Sequence, residues 1–167
     1  LCVLTAITIQ DTVGVQVVHA LDVDWVIDQA RCVLEDMPVA AFKIGVMGSV
    51  ENVVTVAEIL SDYPDIPLIF DPVLTSGRGD DLSGEEVISA MRELLLPQTT
   101  ILTPNTPEAR RLAEHFADHE QPADVIAGLE PGDLVAHERV GAVGPRPRHT
   151  VTIGAGTSST RWASRSA

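Results

Sequence analysis

A chain of 167 residues, 45% hydrophobic and 21% charged, has the composition of one ordinary globular domain with room for a core, which excludes a disordered, collagen-like or disulfide-stapled protein. Its formal net charge of −13 repels a phosphate backbone or an anionic lipid surface, so neither nucleic acid nor membrane is expected as a partner, and any phosphate must be held locally. No apolar run approaches the ~20 residues of a membrane span and the apolar opening lacks the basic flank of a signal peptide, so a cytoplasmic setting is expected.

The chain begins on Leu1 rather than Met and runs straight into an apolar segment, so its start is expected to be missing. Short apolar segments then alternate with longer amphipathic ones, the pattern of a parallel sheet covered by helices. Val3 to Ile9 reads as the first strand, with Gln10 just past its end. A helix is expected from Asp24 to Glu35, capped by Asp22 or Asp24, with Val26, Ile27, Ala30, Val33 and Leu34 on one stripe. Ala40 to Ile44 forms the next strand, and Ser49 opens a helix through Leu60 that ends near Pro64. Leu68 to Phe70 is a third strand, closed by Asp71. Ser83 and Glu86 have capping-box spacing before a helix carrying Val87, Ile88, Met91, Leu94 and Leu95, which Pro97 stops. After a strand at Thr100 to Leu102, Thr106 is expected to cap a helix with Pro107 in its first turn, running towards Phe116. From Asp133 onward two acids face five arginines, giving a tail of net +3 against −16 for the body. This tail is expected to be poorly ordered, apart from a short strand at Thr150 to Ile153. Cys2 and Cys32 read as reduced, half-buried thiols without a chemical role.

Residues able to carry chemistry gather where strands end, which is where open parallel sheets collect ligands. Asp71-Pro72-Val73 and Thr103-Pro104-Asn105-Thr106-Pro107-Glu108 supply two acids and an amide, a set suited to hydrated Mg2+ beside substrate phosphates. The plainer alternative is that Asp71 begins a turn and Glu108 complements a helix dipole. The loop Leu74 to Asp80 offers glycines, hydroxyls and Arg78 for phosphate contact, or simply connects a strand to a helix. Lys43 and Gly45 end a strand facing the same cleft, although Lys43 alone could be a snorkelling surface residue. Gln10 offers a donor and an acceptor to a heteroaromatic ring. His115 and His119 have helical metal-pair spacing without supporting ligands and read as exposed.

In order, TAITIQDTVGVQ, AAFKIGVMG, PLIFDPVLTSGRGDDLS and LLLPQTTILTPNTPEARRL resemble the hydroxymethylpyrimidine and phosphomethylpyrimidine kinases of thiamine biosynthesis, in the ribokinase-like superfamily, over roughly Val3 to Leu112. The resemblance implies an incomplete three-layer α/β/α core with a mainly parallel sheet over residues 1–132, followed by an atypical tail over 133–167. It implies ATP- and Mg2+-dependent phosphorylation of 4-amino-5-hydroxymethyl-2-methylpyrimidine or its monophosphate. By the same resemblance Gln10, Val46 and Val73 bind the pyrimidine, Lys43 and Asn105 join Arg78 at the phosphates, and Asp71 and Glu108 organise Mg2+ through water. Val46 stands where a ring-packing methionine is usual, and neighbouring Met47 could substitute. The family's glycine-rich opening segment has no counterpart, and Gly154-Ala155-Gly156-Thr157 lacks the Cys or Asp of its G-x-G-C or G-x-G-D loop. No catalytic residue is assigned, and impaired turnover is expected. A non-catalytic fragment or ligand-binding module and a pyridoxal kinase-like enzyme are the alternatives, and exposed strand edges would favour a homo-oligomer.

Overall fold

A computed structural model describes residues 1–76, 79, 81–113 and 149–154 of the chain. Its elements in order are β1 (Cys2–Leu4), β2 (Ala6–Gln10), β3 (Val15–Ala20), α1 (Val23–Asp36), β4 (Val39–Ile44), α2 (Val50–Ser61), β5 (Leu68–Phe70), α3 (Glu85–Ala90), β6 (Ile101–Leu102), α4 (Thr106–Ala113) and β7 (His149–Gly154). A π-helical turn at Met91–Leu95 and a 3-10 turn at Leu96–Gln98 prolong α3, so the helical segment ends one residue past Pro97 instead of stopping at it.

Five strands form one parallel sheet in the order β1-β7-β4-β5-β6. The connections through α1, α2 and α3 all step the same way across that sheet, and right-handed crossovers therefore put the three helices on one face. They supply one helical layer of the expected α/β architecture. Their apolar stripes meet the sheet in a single core, with Val26 and Ala30 from α1, Val53 and Val56 from α2, and Val87 and Ile88 from α3 against Phe42, Ile44, Leu68 and Phe70. Phe42 and Tyr63 add an edge-on ring contact, with centroids 6.1 Å apart.

Two caps form as the sequence predicts: Asp22 accepts from the Asp24 amide, and Ser49 from the Asn52 amide. A third does not. Gly84 occupies the N-cap of α3 with no side-chain bond, while among the described residues the hydroxyl of Ser83 is buried without a partner and Glu86 stays exposed. The expected first strand is also split. β1 belongs to the main sheet, whereas β2 leaves it at Thr5 and pairs antiparallel with β3, an element the sequence reading passed over. Cys2 and Cys32 are free as expected, but exposed rather than half-buried.

The strand expected at Thr150 to Ile153 exists and is interior: β7 lies between β1 and β4, with Val151 and Ile153 each 1% exposed. The expectations for His115, His119 and the rest of the tail lie outside the described residues.

Candidate active site

Parallel strands bring their carboxyl ends to one rim, and the loops after β4, β5 and β6, which carry the candidate residues, begin there side by side. The Asp71 amide donates to the carbonyl of Ile44 at 2.9 Å, and the Thr103 amide to that of Phe70 at 2.9 Å. These bonds place the first residue after each strand beside its neighbour.

Glu108 is the joint of the rim. Only 4% exposed, it accepts from the Leu74 amide through Oε1 (3.2 Å) and from the Asn105 amide through Oε2 (2.9 Å). The Asn105 Oδ1 accepts in turn from the Glu108 amide at 2.9 Å. This is a reciprocal capping box at the start of α4, built on Asn105 rather than on Thr106, which is already the first helical residue. The plainer helix-cap role of Glu108 is therefore present, and the same carboxylate ties the loop after β5 to the helix after β6.

Asp71 is 34% exposed, and its Oδ2 accepts from Lys43 Nζ at 2.9 Å. Lys43 thus meets the carboxylate directly, at the rim position expected of it. Among the described residues no three acidic, histidine or cysteine side chains cluster as a metal cage. A cation at Asp71 would take most of its shell from water and phosphate oxygen. That is how Mg2+ is usually held, so the donor set fits a hydrated Mg2+ and not an all-protein site.

The back of α4 is pinned by two arginines the sequence reading did not single out. Buried Arg92 donates through Nε to the Leu112 carbonyl at 3.1 Å and through its NH2 group to the carbonyl of Arg111, neutralising the helix's C-terminal end. Arg111 pairs with Asp81 at 2.7 Å and Glu85 at 2.9 Å, and Glu85 chiefly, then Asp81, raises its pKa further. No spacing rule marks either residue, because both act across a tertiary contact.

The pyrimidine-side residues are spread more widely. Gln10 is exposed at the far end of β2 and lines a hollow of about 200 Å3 with Thr12, Val15 and Ser76, so the hairpin tip reaches the loop after β5. Val73 is half-buried beside Asp71. Val46 is 8% exposed and its carbonyl accepts from the Thr5 hydroxyl at 2.6 Å, which sets it towards the hairpin root. Met47, expected to be able to replace the missing methionine, is wholly buried in the core. Arg78 lies outside the described residues; the loop around it is closed by a bridge between Thr75 and Asp81. A cavity of about 400 Å3 between Val18, Gly48, Ser83 and Arg111 adjoins the hairpin, while another of similar size, lined by Tyr63, Leu68 and Pro97, lies at the opposite, amino-terminal end of β5.

A family profile described as phosphomethylpyrimidine kinase matches residues 1–130. The hydroxymethylpyrimidine/phosphomethylpyrimidine kinase of Streptomyces coelicolor is 42% identical over 118 residues, 71% of this chain and 44% of that protein. The chloroplastic thiamine biosynthetic bifunctional enzyme of Arabidopsis thaliana is 41% identical over 144 residues, 86% of this chain and 26% of that protein. Among solved structures, the phosphomethylpyrimidine kinase of Clostridium difficile has a TM-score of 0.61 at 37% identity, covering 67% of this chain and 48% of that one. An ADP complex of Bacillus subtilis pyridoxal kinase gives 0.56 at 26% identity, covering 67% and 43%. The chain spans less than half the length of each of these relatives.

Proposed function

The chain belongs to the phosphomethylpyrimidine kinase family, and on that premise we propose that it carries the ATP- and Mg2+-facing rim of a kinase that phosphorylates a hydroxymethyl aminopyrimidine or its monophosphate in the cytoplasm. The observation that carries this reading is the Glu108 carboxylate joining the loop of Asp71 to the capped start of α4. Phosphoryl transfer relies on positioning and charge stabilisation more than on covalent help, so a rigid rim of this kind is the part a protein must supply. Bound Mg2+ would neutralise charge on the terminal phosphates. Asp71 would hold the ion, directly or through water, with Lys43 steadying the carboxylate. Asn105 keeps its side-chain amide hydrogens for phosphate oxygens, since Oδ1 is the atom spent on the cap. Glu108 would act through water at most, both of its oxygens already holding backbone amides. Gln10 and Val73 would meet the ring. The Gly154-Ala155-Gly156-Thr157 string offers no thiol or carboxylate, so ligand binding is expected to outlast turnover.

Calorimetry tests this reading. The parent chain should bind Mg2+-ATP and the aminopyrimidine, with pyridoxal a poor competitor for the latter. Asp71→Ala should weaken Mg2+-ATP binding at least about tenfold while moving stability by no more than about 1 kcal/mol, because its ion pair is a third exposed. Glu108→Ala should instead cost about 1–3 kcal/mol, because two inward amides lose their acceptor. Parental Mg2+-ATP affinity in Asp71→Ala would refute the assignment.

A further inference from the structure

The root of the β2–β3 hairpin is built unlike the rest of the core. Asn52 lies on the buried stripe of α2 that Val53, Val56, Ala57 and Leu60 otherwise fill with apolar side chains, and it is 0% exposed. Its Nδ2 donates to the carbonyls of Thr5 (2.9 Å), Leu21 (3.2 Å) and Met47 (3.2 Å). All three partners are acceptors, which fixes the orientation of the amide. Thr5 and Leu21 are the residues immediately before β2 and after β3, and the Leu21 amide also donates to the Thr5 carbonyl at 2.8 Å. One side chain on α2 therefore grips both roots of the hairpin and the loop after β4. Among the described residues its Oδ1 is buried without a partner, a desolvation cost that an apolar side chain at this position would avoid.

Gly48 lies against the same root. Its φ is +82°, and a Cβ there would stand 3.0 Å from the Ala6 Cβ and 3.2 Å from the Ala20 Cβ. Ala6 and Ala20 are the first cross-strand pair of the hairpin. The hairpin thus seats on a bare backbone with no space to spare.

We infer that Asn52 and Gly48 set the pitch of the hairpin over the strand ends, which makes Asn52 a positioning residue for the ring that Gln10 meets. The inference rests on the reading of Gln10 given above. Gln10 is four residues beyond Ala6, about 13 Å along an extended strand, so a tilt of about 10° at the root moves the tip by about 2 Å. Displacements of that size can cost about a hundredfold where ligand geometry matters.

A double-mutant cycle reads this coupling, with 4-amino-5-hydroxymethyl-2-methylpyrimidine and Mg2+-ATP as separate calorimetric probes. Asn52→Leu should weaken pyrimidine binding about tenfold in the parent and less than twofold once Gln10→Ala is present, with Mg2+-ATP affinity changed less than twofold. Gly48→Ala, which disturbs the same root from the other side, should behave alike and serves if Asn52→Leu fails to fold. Additive losses in the cycle, or equal weakening of both ligands, would overturn the positioning role while leaving the kinase reading intact. A parent chain that binds Mg2+-ATP but no pyrimidine removes the reading of Gln10, and this inference with it.

Discussion

Asp11 turns the chain between the two strands of the hairpin with a single carboxylate. Oδ1 accepts from the amides of Val13 (2.7 Å) and Gly14 (3.0 Å), and Oδ2 from Gln16 Nε2 at 3.3 Å. The Gly14 amide first, then that of Val13, holds its pKa below the ordinary carboxylate value. A depressed folded pKa means that the bonded turn is favoured above the ordinary value and loses that support as pH falls through the folded one. The Val13 and Gly14 amide resonances should therefore titrate with a common midpoint below the ordinary carboxylate value, and Asp11→Asn should abolish the titration. A midpoint at or above that value would mean that the turn bonds do not form in solution. Such detail is only partly legible in sequence. Asp11 and Gly14 advertise a turn, but which oxygen serves which amide depends on the hairpin closing. Asn52 gave no signal at all, since one amide among valines looks like a surface position.

At the scale of elements, helix caps separate what spacing can predict from what it cannot. Ser83-x-x-Glu86 and Asn105-x-x-Glu108 have the same spacing, yet only the second forms a box. The difference lies in what else competes: the Leu74 amide also needs an acceptor and draws Glu108 inward, while Glu86 has open solvent to point at. Asn105→Ala should cost about 1 kcal/mol in denaturant unfolding, the usual value of a lost cap. Ser83→Ala should cost nothing measurable, because its hydroxyl is buried with no partner among the described residues. A loss of about 1 kcal/mol from Ser83→Ala would restore the box read from sequence. The hairpin was missed for a related reason. Val3 to Ile9 is one continuous run rich in β-branched residues, and the bonds from Thr5 to Val46, Leu21 and Asn52 mark where it divides into a sheet strand and a hairpin strand. The alternation resuming at Val15 after Asp11-Thr12-Val13-Gly14 was the available sign.

Across the whole molecule, the parallel alternation of strand and helix was readable because β4 and β5 are nearly unbroken apolar segments that set Phe42, Ile44, Leu68 and Phe70 in the core. The order of strands was not, since β7, about fifty residues beyond β6 in the sequence, inserts between β1 and β4 through pairings no local pattern encodes. The same topology carries the loop that follows Asp71 to Glu108 across more than thirty residues of chain, and we propose that Asp71, Asn105 and Glu108 converge there. That convergence is the central claim, and Mn2+ substituted for Mg2+ in the ATP complex tests it directly, because a paramagnetic ion broadens the resonances nearest to it. The account predicts that the amides of Asp71, Val73, Leu74, Thr103, Asn105, Thr106 and Glu108 broaden first, and that Asp71→Ala removes the effect. Broadening centred instead on the acidic surface of α1, around Asp24, Asp28 and Glu35, or left unchanged by Asp71→Ala, would contradict it.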